Sequence, residues 1–273
     1  MYGGRVLFRT APVALAALAL LIASSWSAYA VAGDLDPSFS GDGVEVTTLD
    51  GYYGIASDFA VQRNGHILAL GFMHAEQGIA SDFALVRYTQ SGALDTSFGR
   101  TGKLLTDFGG RYDTGQALAI SRHGTIVAVG SSSDDMAVAR YRKKGAPDAS
   151  FSGDGKLLLD LGGFENARDV AVDSSGRIVT AGTDGADFVL VRLRPGGALD
   201  TTFGDDGVVR TDFAGFGDSA FAVSVQRDGK IVAAGFTVTV AGGQDFAVAR
   251  YLADGTLDTT FGGVGTDRRS FEP

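Results

Sequence analysis

The chain has no cysteine, five prolines and one tryptophan among its 273 residues. Without cysteine no disulfide can brace the fold, and thiol chemistry is excluded. Histidine is also scarce: His66, His74 and His123 are too scattered for a metal triad to be inferred from their spacing. The motifs G-x-S-x-G, H-E-x-x-H and the phosphate loop do not occur. These absences do not favour an enzyme, and no cofactor or metal is predicted.

Long apolar runs are lacking as well, except near the start of the chain. Arg5 and Arg9 precede an apolar run over residues 11–23, and Ala28-Tyr29-Ala30 has the A-x-A form of a cleavage site. The run is shorter than the ~20 residues of a membrane-spanning helix. Residues 1–30 are therefore predicted to be a secretory signal peptide. An uncleaved anchor is the alternative, and the mature chain, 31–273, is expected to be secreted or periplasmic with no membrane span.

Positive charge is in short supply. The formal net charge is −9, and loss of residues 1–30 removes two arginines and no acid, which leaves −11. An acidic surface repels phosphate backbones, so a nucleic-acid partner is disfavoured.

What the chain does contain is a ten-residue phrase in five copies. Each copy holds a Ser-Phe or Thr-Phe pair, and the phenylalanines lie 52 to 59 residues apart. The copies are 35–44, 94–103, 147–156, 199–208 and 257–266, with Phe39, Phe98, Phe151, Phe203 and Phe261. A period of this size predicts repeat units that stack around a shared core. Phe98, Phe151 and Phe203 are predicted to be buried at equivalent positions between the units.

Within each repeat, β-rich runs are joined by a polar turn that contains glycine. The hairpins are 59–71, 118–130, 170–182 and 223–235, with turn glycines Gly65, Gly124, Gly176 and Gly229. An apolar strand follows the phrase, and another begins with an aspartate. Four short strands per unit without helical periodicity predict a blade. We therefore predict an all-β fold, a β-propeller of about four four-stranded blades, in preference to a β-solenoid.

The number of strands exceeds four blades by one. The phrase and its following strand occur five times, but the other strands occur four times. In one register the blades are 53–108, 114–161, 166–213 and 220–271, and 35–49 is spare. In the other, 35–49 completes a blade and the C-terminal strand is spare. Ring closure is therefore uncertain, and an unpaired edge leaves room for a homodimer.

The phrases D-G-K-I-V-A-A-G, D-F-A-V-A-R-Y and G-x-L-D-T-T-F-G resemble the delta-60 repeat family. The best copy is at 223–262, and weaker copies extend over essentially all of the mature chain. The resemblance implies an exported bacterial protein with a propeller-like fold, and it implies no reaction or ligand. The chain departs from the family pattern at Pro147, Met136 and Gly54.

Two recurring sets of charged residues have a structural interpretation. The acids of the phrase are expected to cap turns rather than to bind calcium. The arginines that end an apolar strand are expected to pair with recurring acids. The phrase acids are Asp95, Asp148, Asp200 and Asp258, with Asp42, Asp154 and Asp206; the arginines are Arg87, Arg140, Arg192 and Arg250.

A third set consists of Asp113, Glu165 and Asp218, which lie next to Tyr112, Phe164 and Phe216; Gly54 and Tyr53 hold these positions in the first copy. Acids beside aromatics, repeated around a ring, could bind a sugar or a cation. The competing interpretation is that the aromatics fill gaps between blades while the acids cap turns.

Residues that break the repeat form the other candidate site. The loops 72–81 and 236–244 are longer than their counterparts in repeats 2 and 3, and insertions tend to lie on a binding face. If the ring closes, the two loops are expected to lie side by side. The candidate ligand-binding residues there are His74, Glu76 and Gln77.

These observations favour an exported, non-catalytic binding or scaffold module that presents its loops to a protein or a glycan. The alternative is a carbohydrate-active hydrolase or lyase that uses carboxylates at the propeller mouth.

Overall fold

The computed structural model describes residues 33–49, 53–74, 80–213, 216–240 and 242–270. These residues contain strands and turns and no helix, so none of them forms a helix that could cross a membrane. The strands form four antiparallel sheets of four strands, each in sequence order. The first sheet is β1 (Tyr53–Val61), β2 (Ile67–His74), β3 (Ser81–Tyr88) and β4 (Lys103–Thr106); the second is β5 (Asp113–Ile120), β6 (Ile126–Ser132), β7 (Asp135–Tyr141) and β8 (Lys156–Leu159). The third is β9 (Asn166–Val172), β10 (Ile178–Thr183), β11 (Phe188–Leu193) and β12 (Val208–Thr211); the fourth is β13 (Asp218–Val225), β14 (Ile231–Val238), β15 (Gln244–Tyr251) and β16 (Thr266–Arg269).

The glycine that ends each hairpin phrase has a steric role. A Cβ at Gly71 would meet the carbonyl oxygen of Ile55 on the neighbouring strand, and one at Gly130 would meet that of Thr114. Gly182 and Gly235 have the same close contact. In each sheet this approach lies beside a register shift between the first and second strands. Only glycine allows the two backbones to approach so closely at the bulge.

Successive sheets are joined by hydrophobic clusters. In the first junction, Leu68, Leu70 and Phe83 of the first sheet pack with Ile126 and Ala128 of the second, together with other small and aromatic residues. Corresponding clusters fill the second and third junctions. Phe98, Phe151 and Phe203 each belong to one of the three clusters and are completely buried, which confirms their predicted position.

The structure adopts the register in which residues 35–49 are spare. This segment contains the first copy of the phrase. It contacts the first sheet in the same way that later copies contact the sheet that follows them. The Ser40 amide donates to the carbonyl of Ser91, just as Gly99 donates to Lys144 and Ser152 to Gly196. The Tyr88 hydroxyl also donates to the Thr47 hydroxyl. The segment is therefore placed as the outer strand of a blade that would precede the first sheet.

Ring closure is not seen among the described residues. Their hydrophobic clusters occupy the three junctions between successive sheets, and none of these clusters joins the fourth sheet to the first. The second residue of the D-F-A-V-A-R-Y phrase also distinguishes the fourth sheet from the other three. It is fully buried as Phe83, Met136 and Phe188, but its fourth copy, Phe246, is 63% exposed. The condition for the two long loops to meet is therefore not fulfilled here, and residues 75–79 and 241 of those loops lie outside the described residues.

Candidate functional site at the junctions between sheets

The recurring arginines and phrase acids form ion pairs, as predicted. The Nε atoms of Arg87, Arg140, Arg192 and Arg250 lie 2.8 to 3.0 Å from carboxylate oxygens of Asp95, Asp148, Asp200 and Asp258. Each guanidinium also lies over the phenylalanine of its phrase, at 4.5 to 5.0 Å from the ring centre. The first three arginines donate to a main-chain carbonyl of the next sheet. These charges hold the phrase and the junction together, and they leave little capacity for a ligand.

The acids that precede glycine cap turns where their bonds are described. The Asp42 carboxylate accepts from the Val44 amide, and that of Asp154 accepts from the Lys156 amide, both at 2.9 Å. The turn-capping prediction is confirmed at these two positions.

The four recurring aromatics do not fill gaps between blades. Tyr53, Tyr112, Phe164 and Phe216 have exposed fractions of 65%, 45%, 72% and 76%. The interpretation of these rings as inter-blade packing is therefore wrong. They precede or begin the first strand of each sheet, and the first strands of successive sheets pack together. Four exposed rings thus recur at one end of neighbouring strands, and we call Tyr53, Tyr112, Phe164 and Phe216 the aromatic row.

The acids next to the row are buried: Asp113, Glu165 and Asp218 are at most 3% exposed. One carboxylate oxygen of each accepts a main-chain amide, from Phe108, Gly163 and Phe213 respectively. The turn-capping interpretation is correct for this oxygen. The second oxygen, Oδ1 of Asp113 and Asp218 and Oε2 of Glu165, is buried without a hydrogen-bond partner. An unpaired buried acceptor is costly, so a second role has to be considered.

Each of these buried acids converges with two further aspartates. The triads are Asp82, Asp107 and Asp113; Asp135, Asp160 and Glu165; and Asp187, Asp212 and Asp218. In each triad one oxygen per residue lies within 4.8 Å of the others. Of the other two members, one begins or precedes the third strand of a sheet and one directly follows its fourth strand, while the buried member begins or precedes the first strand of the next sheet. We call these three groups the junction triads.

The pairing of strands explains this convergence. Phe83 is opposite Thr106, so Asp82 and Asp107, one residue beyond each, face each other across the two strands. The same pairing brings Asp135 to Asp160 and Asp187 to Asp212. The six aspartates lie at recurring positions of the repeat, but only the strand register shows that they meet. Sequence reasoning missed the triads because it treated the two strand ends separately.

The crowding of carboxylates affects their protonation. Burial raises the pKa of Asp82, and the charges of Asp107 and Asp113 raise it further. The pKa of Asp187 is raised in the same way, by burial and by the charges of Asp184, Asp212 and Asp218. Burial also raises the pKa of Asp113, although hydrogen bonds from Ser132 and Phe108 act against it. Negative charge at the first and third triads is therefore poorly compensated by the protein.

Of the predicted loop residues, His74 lies within the described part of the chain. His74 ends β2, where its ring lies 5.2 Å from Phe72 and 6.2 Å from Tyr53 between centres. Glu76 and Gln77 lie outside the described residues. The structure thus brings Asp113, Glu165 and Asp218 into three separate junctions.

The sheets and the junctions define the class of the protein: it is a β-propeller repeat protein. A family model described as "Domain of unknown function (DUF5122) beta-propeller" matches residues 62–98, 124–151, 174–203 and 226–261. Each match runs from the hairpin of one repeat to the phrase phenylalanine. The match supports a β-propeller repeat family.

Solved structures with a similar fold are distant in sequence. A streptogramin B lyase has 13% identity and a TM-score of 0.41, and the alignment covers 79% of this chain and 57% of that chain. A GH43 endo-arabinanase from Bacillus licheniformis has 12% identity and a TM-score of 0.44, with 74% and 76% of the chains covered. This chain thus spans little more than half the length of the streptogramin B lyase. No curated protein matches the chain.

Proposed function

We propose that this protein is an exported, non-catalytic binding module of the delta-60 repeat type, and that its aromatic row binds a polysaccharide. The observation that carries the proposal is the exposure of the same aromatic position in all four sheets. Exposed apolar rings at equivalent positions mark an interaction surface, because soluble proteins normally bury them. Tyrosine and phenylalanine are also typical of such surfaces.

The repetition favours a glycan over a protein partner. Equivalent rings in successive sheets present equivalent contacts, and a polymer of repeating sugar units offers equivalent faces to them. A folded protein partner rarely has such a repeat. The formal net charge of −11 after signal cleavage favours neutral or cationic polysaccharides over polyanions.

Export is part of the same proposal, and it rests on the character of residues 1–30. Fractionation of the native host, with sequencing of the mature N-terminus, tests it. A mature chain that begins close to residue 31 in the periplasm or medium supports export, and a cytoplasmic chain that begins at Met1 contradicts it.

Binding can be tested with the mature chain on a polysaccharide panel, by affinity electrophoresis and by pull-down on insoluble polymers. The variant Phe164→Ala/Phe216→Ala removes the two most exposed rings of the row. Each ring is expected to contribute about 0.5–1.5 kcal/mol, so loss of the pair should weaken binding by roughly 5- to 140-fold. Phe59→Ala is the matched control, because Phe59 is also exposed but lies near the other end of β1, outside the row.

Three outcomes would overturn the proposal. Equal loss of binding in the double variant and in Phe59→Ala would show that the row has no special role. Release of oligosaccharides during the assay would favour the alternative function, a carbohydrate-active hydrolase or lyase. Capture of a protein through the same two rings, with no polysaccharide bound, would replace the glycan by a protein partner.

We also propose that two copies pair through the uncovered face of the fourth sheet. Phe246 is the fourth copy of a position that the other junctions bury completely, so this face has the composition of a junction without a neighbour. Burial of such a face against a second copy is the simplest way to remove it from water.

A further inference from the structure

We propose that the junction triads are calcium sites, one between each pair of successive sheets. Each triad combines three converging carboxylates with a fully or almost fully buried oxygen that has no hydrogen-bond partner. The inference is independent of the glycan-binding proposal, because the triads and the aromatic row use different residues.

The arrangement is unfavourable in the absence of a cation. Asp82 and Asp107 lie one residue beyond the Phe83–Thr106 pair of two antiparallel strands, and like charges so close together are destabilising. The third carboxylate, Asp113, is removed from water and still lacks a partner for Oδ1. The second and third triads repeat both features. Three occurrences of one unfavourable arrangement indicate that a common ligand compensates it.

The chemistry and the spacing suit Ca²⁺. This ion binds six to eight oxygen ligands at about 2.3–2.6 Å, so two oxygens on one ion are up to about 5 Å apart. The triad oxygens lie within 4.8 Å of one another. Mg²⁺ binds at about 2.0–2.1 Å and holds its ligands within about 4.2 Å, so it requires a tighter site. One member of each triad is exposed, which leaves room for water to complete the coordination shell.

The fourth sheet provides an internal comparison. Its third strand has Asp245 at the position of Asp82, but Ser270 takes the place of Asp107 in the register. Arg268 has its Nε 3.0 Å from Asp245 Oδ2. Among the described residues no following sheet supplies a third acid at this position. Here the positive charge beside Asp245 comes from an arginine of the same sheet. The triads occur only at the junctions among the described residues, as expected for an ion that joins two sheets.

The ions would act as clamps. Each would link two carboxylates of one sheet to a buried carboxylate of the next, and the aromatic row lies beside these buried acids. Ca²⁺ affinities of extracellular modules are of the order of 10⁻⁴–10⁻³ M. Sites of this strength would be occupied outside the cell, where an exported protein is found.

The test is calcium titration of the mature chain in chelator-treated buffer, by calorimetry and by thermal unfolding, with no glycan present. Three ions should bind, and the melting temperature should rise with Ca²⁺ concentration because the ion binds the folded state. Asp107→Asn, Asp160→Asn and Asp212→Asn change the exposed member of each triad, so folding is disturbed least. Each single variant should bind two ions and the triple variant none.

Asp245→Asn is the matched control, and it should bind three ions like the unmodified chain. Absence of calcium binding at 5 mM, or a triple variant that binds as much as the unmodified chain, would overturn the proposal. Equal affinity for Mg²⁺ and Ca²⁺ would contradict the assignment to calcium.

Discussion

At the scale of single residues, the phenylalanine of the recurring phrase has the clearest role. Phe98, Phe151 and Phe203 are completely buried, and each lies beneath the guanidinium of an arginine that is itself paired with an aspartate. The ring fills the junction while the ion pair orders the phrase above it. This combination explains why the phrase recurs as a unit.

Replacement of the ring should be costly. Phe151→Ala is expected to lower the free energy of unfolding by about 3–5 kcal/mol, because it removes buried surface and leaves a cavity. Urea unfolding, followed by circular dichroism of the backbone, measures the change. Phe164→Ala, at a position that is 72% exposed, is the control and should change stability by less than about 0.5 kcal/mol. Equal effects of the two changes would refute the structural role of the phrase ring.

The aspartate of the phrase has a pH-dependent role. Burial alone would raise the pKa of Asp95, but hydrogen bonds from Ser97 and the charge of Arg87 outweigh it and lower the pKa to about 2. A carboxyl whose folded pKa lies below its unfolded value stabilises the fold above the unfolded value. This contribution is lost as the pH falls from 3.8 to about 2.

Asp95→Asn should therefore be less stable than the unmodified chain at neutral pH, and the difference should shrink as the pH falls from 3.8 towards 2. Unfolding midpoints measured across this range provide the comparison. A difference that is constant with pH would show that the ionised form of Asp95 makes no contribution.

At the scale of the strand, the outer strand of each of the first three sheets ends in a contact with the next sheet. Thr106 shares a hydrogen bond with the Tyr141 hydroxyl at 2.6 Å, and Thr211 shares one with that of Tyr251 at 2.7 Å. Burial of these phenols raises their pKa, to about 12 for Tyr251. In the second junction both partners are apolar, since Leu159 packs into the cluster that contains Leu193. Each junction therefore has either a polar pair or an apolar pair of residues at this position, and the two partners change together.

Thr211→Val should leave the buried Tyr251 hydroxyl without its partner, at a cost of about 1–3 kcal/mol. The double variant Thr211→Leu/Tyr251→Leu copies the second junction and should regain part of the loss. A double-mutant cycle with Thr211→Leu and Tyr251→Leu measures the coupling between the two positions. Strictly additive effects would show that the two residues do not act as a pair.

At the scale of the whole molecule, the two ends of the repeat differ. The first sheet has residues 35–49 in the place of a preceding outer strand, above a groove of about 470 Å³ lined by Tyr53, Ile55 and other apolar residues. The fourth sheet exposes Phe246. Head-to-tail docking of the fourth sheet on the first would bring β16 into the place that 35–49 occupies. Pairing of two fourth sheets face to face avoids this conflict.

We therefore expect the mature chain to form a dimer with increasing concentration, as measured by light scattering after gel filtration. Phe246→Lys places a charge in the centre of the proposed interface and should shift the equilibrium to the monomer. Phe164→Lys, an equal change outside the interface, should leave the dimer intact. A monomer at all concentrations, or equal disruption by both variants, would contradict the proposed pairing.

The fold was largely predictable, whereas the site was predictable only in part. The spacing of Phe98, Phe151 and Phe203 and the hairpin glycines predicted four-stranded blades, because local periodicity reports strand length and turns directly. The same repetition identified three acids beside the aromatics as candidates, namely Asp113, Glu165 and Asp218. Their partners were not, because a triad combines residues from two sheets whose register depends on tertiary packing. The role of the aromatics stayed open because a repeated apolar residue can be buried or exposed with the same spacing.

The sequence alone determined the repeat unit, its strands and the residues that fill its junctions, since these follow from hydrophobic periodicity and turn chemistry. Tertiary structure decided which terminal strand is spare, because 35–49 and β16 have the same pattern and only their neighbours differ. It also decided that Phe246 is exposed while Phe83 and Phe188 are buried, because burial requires a following sheet. The junction triads likewise exist only where one sheet meets the next.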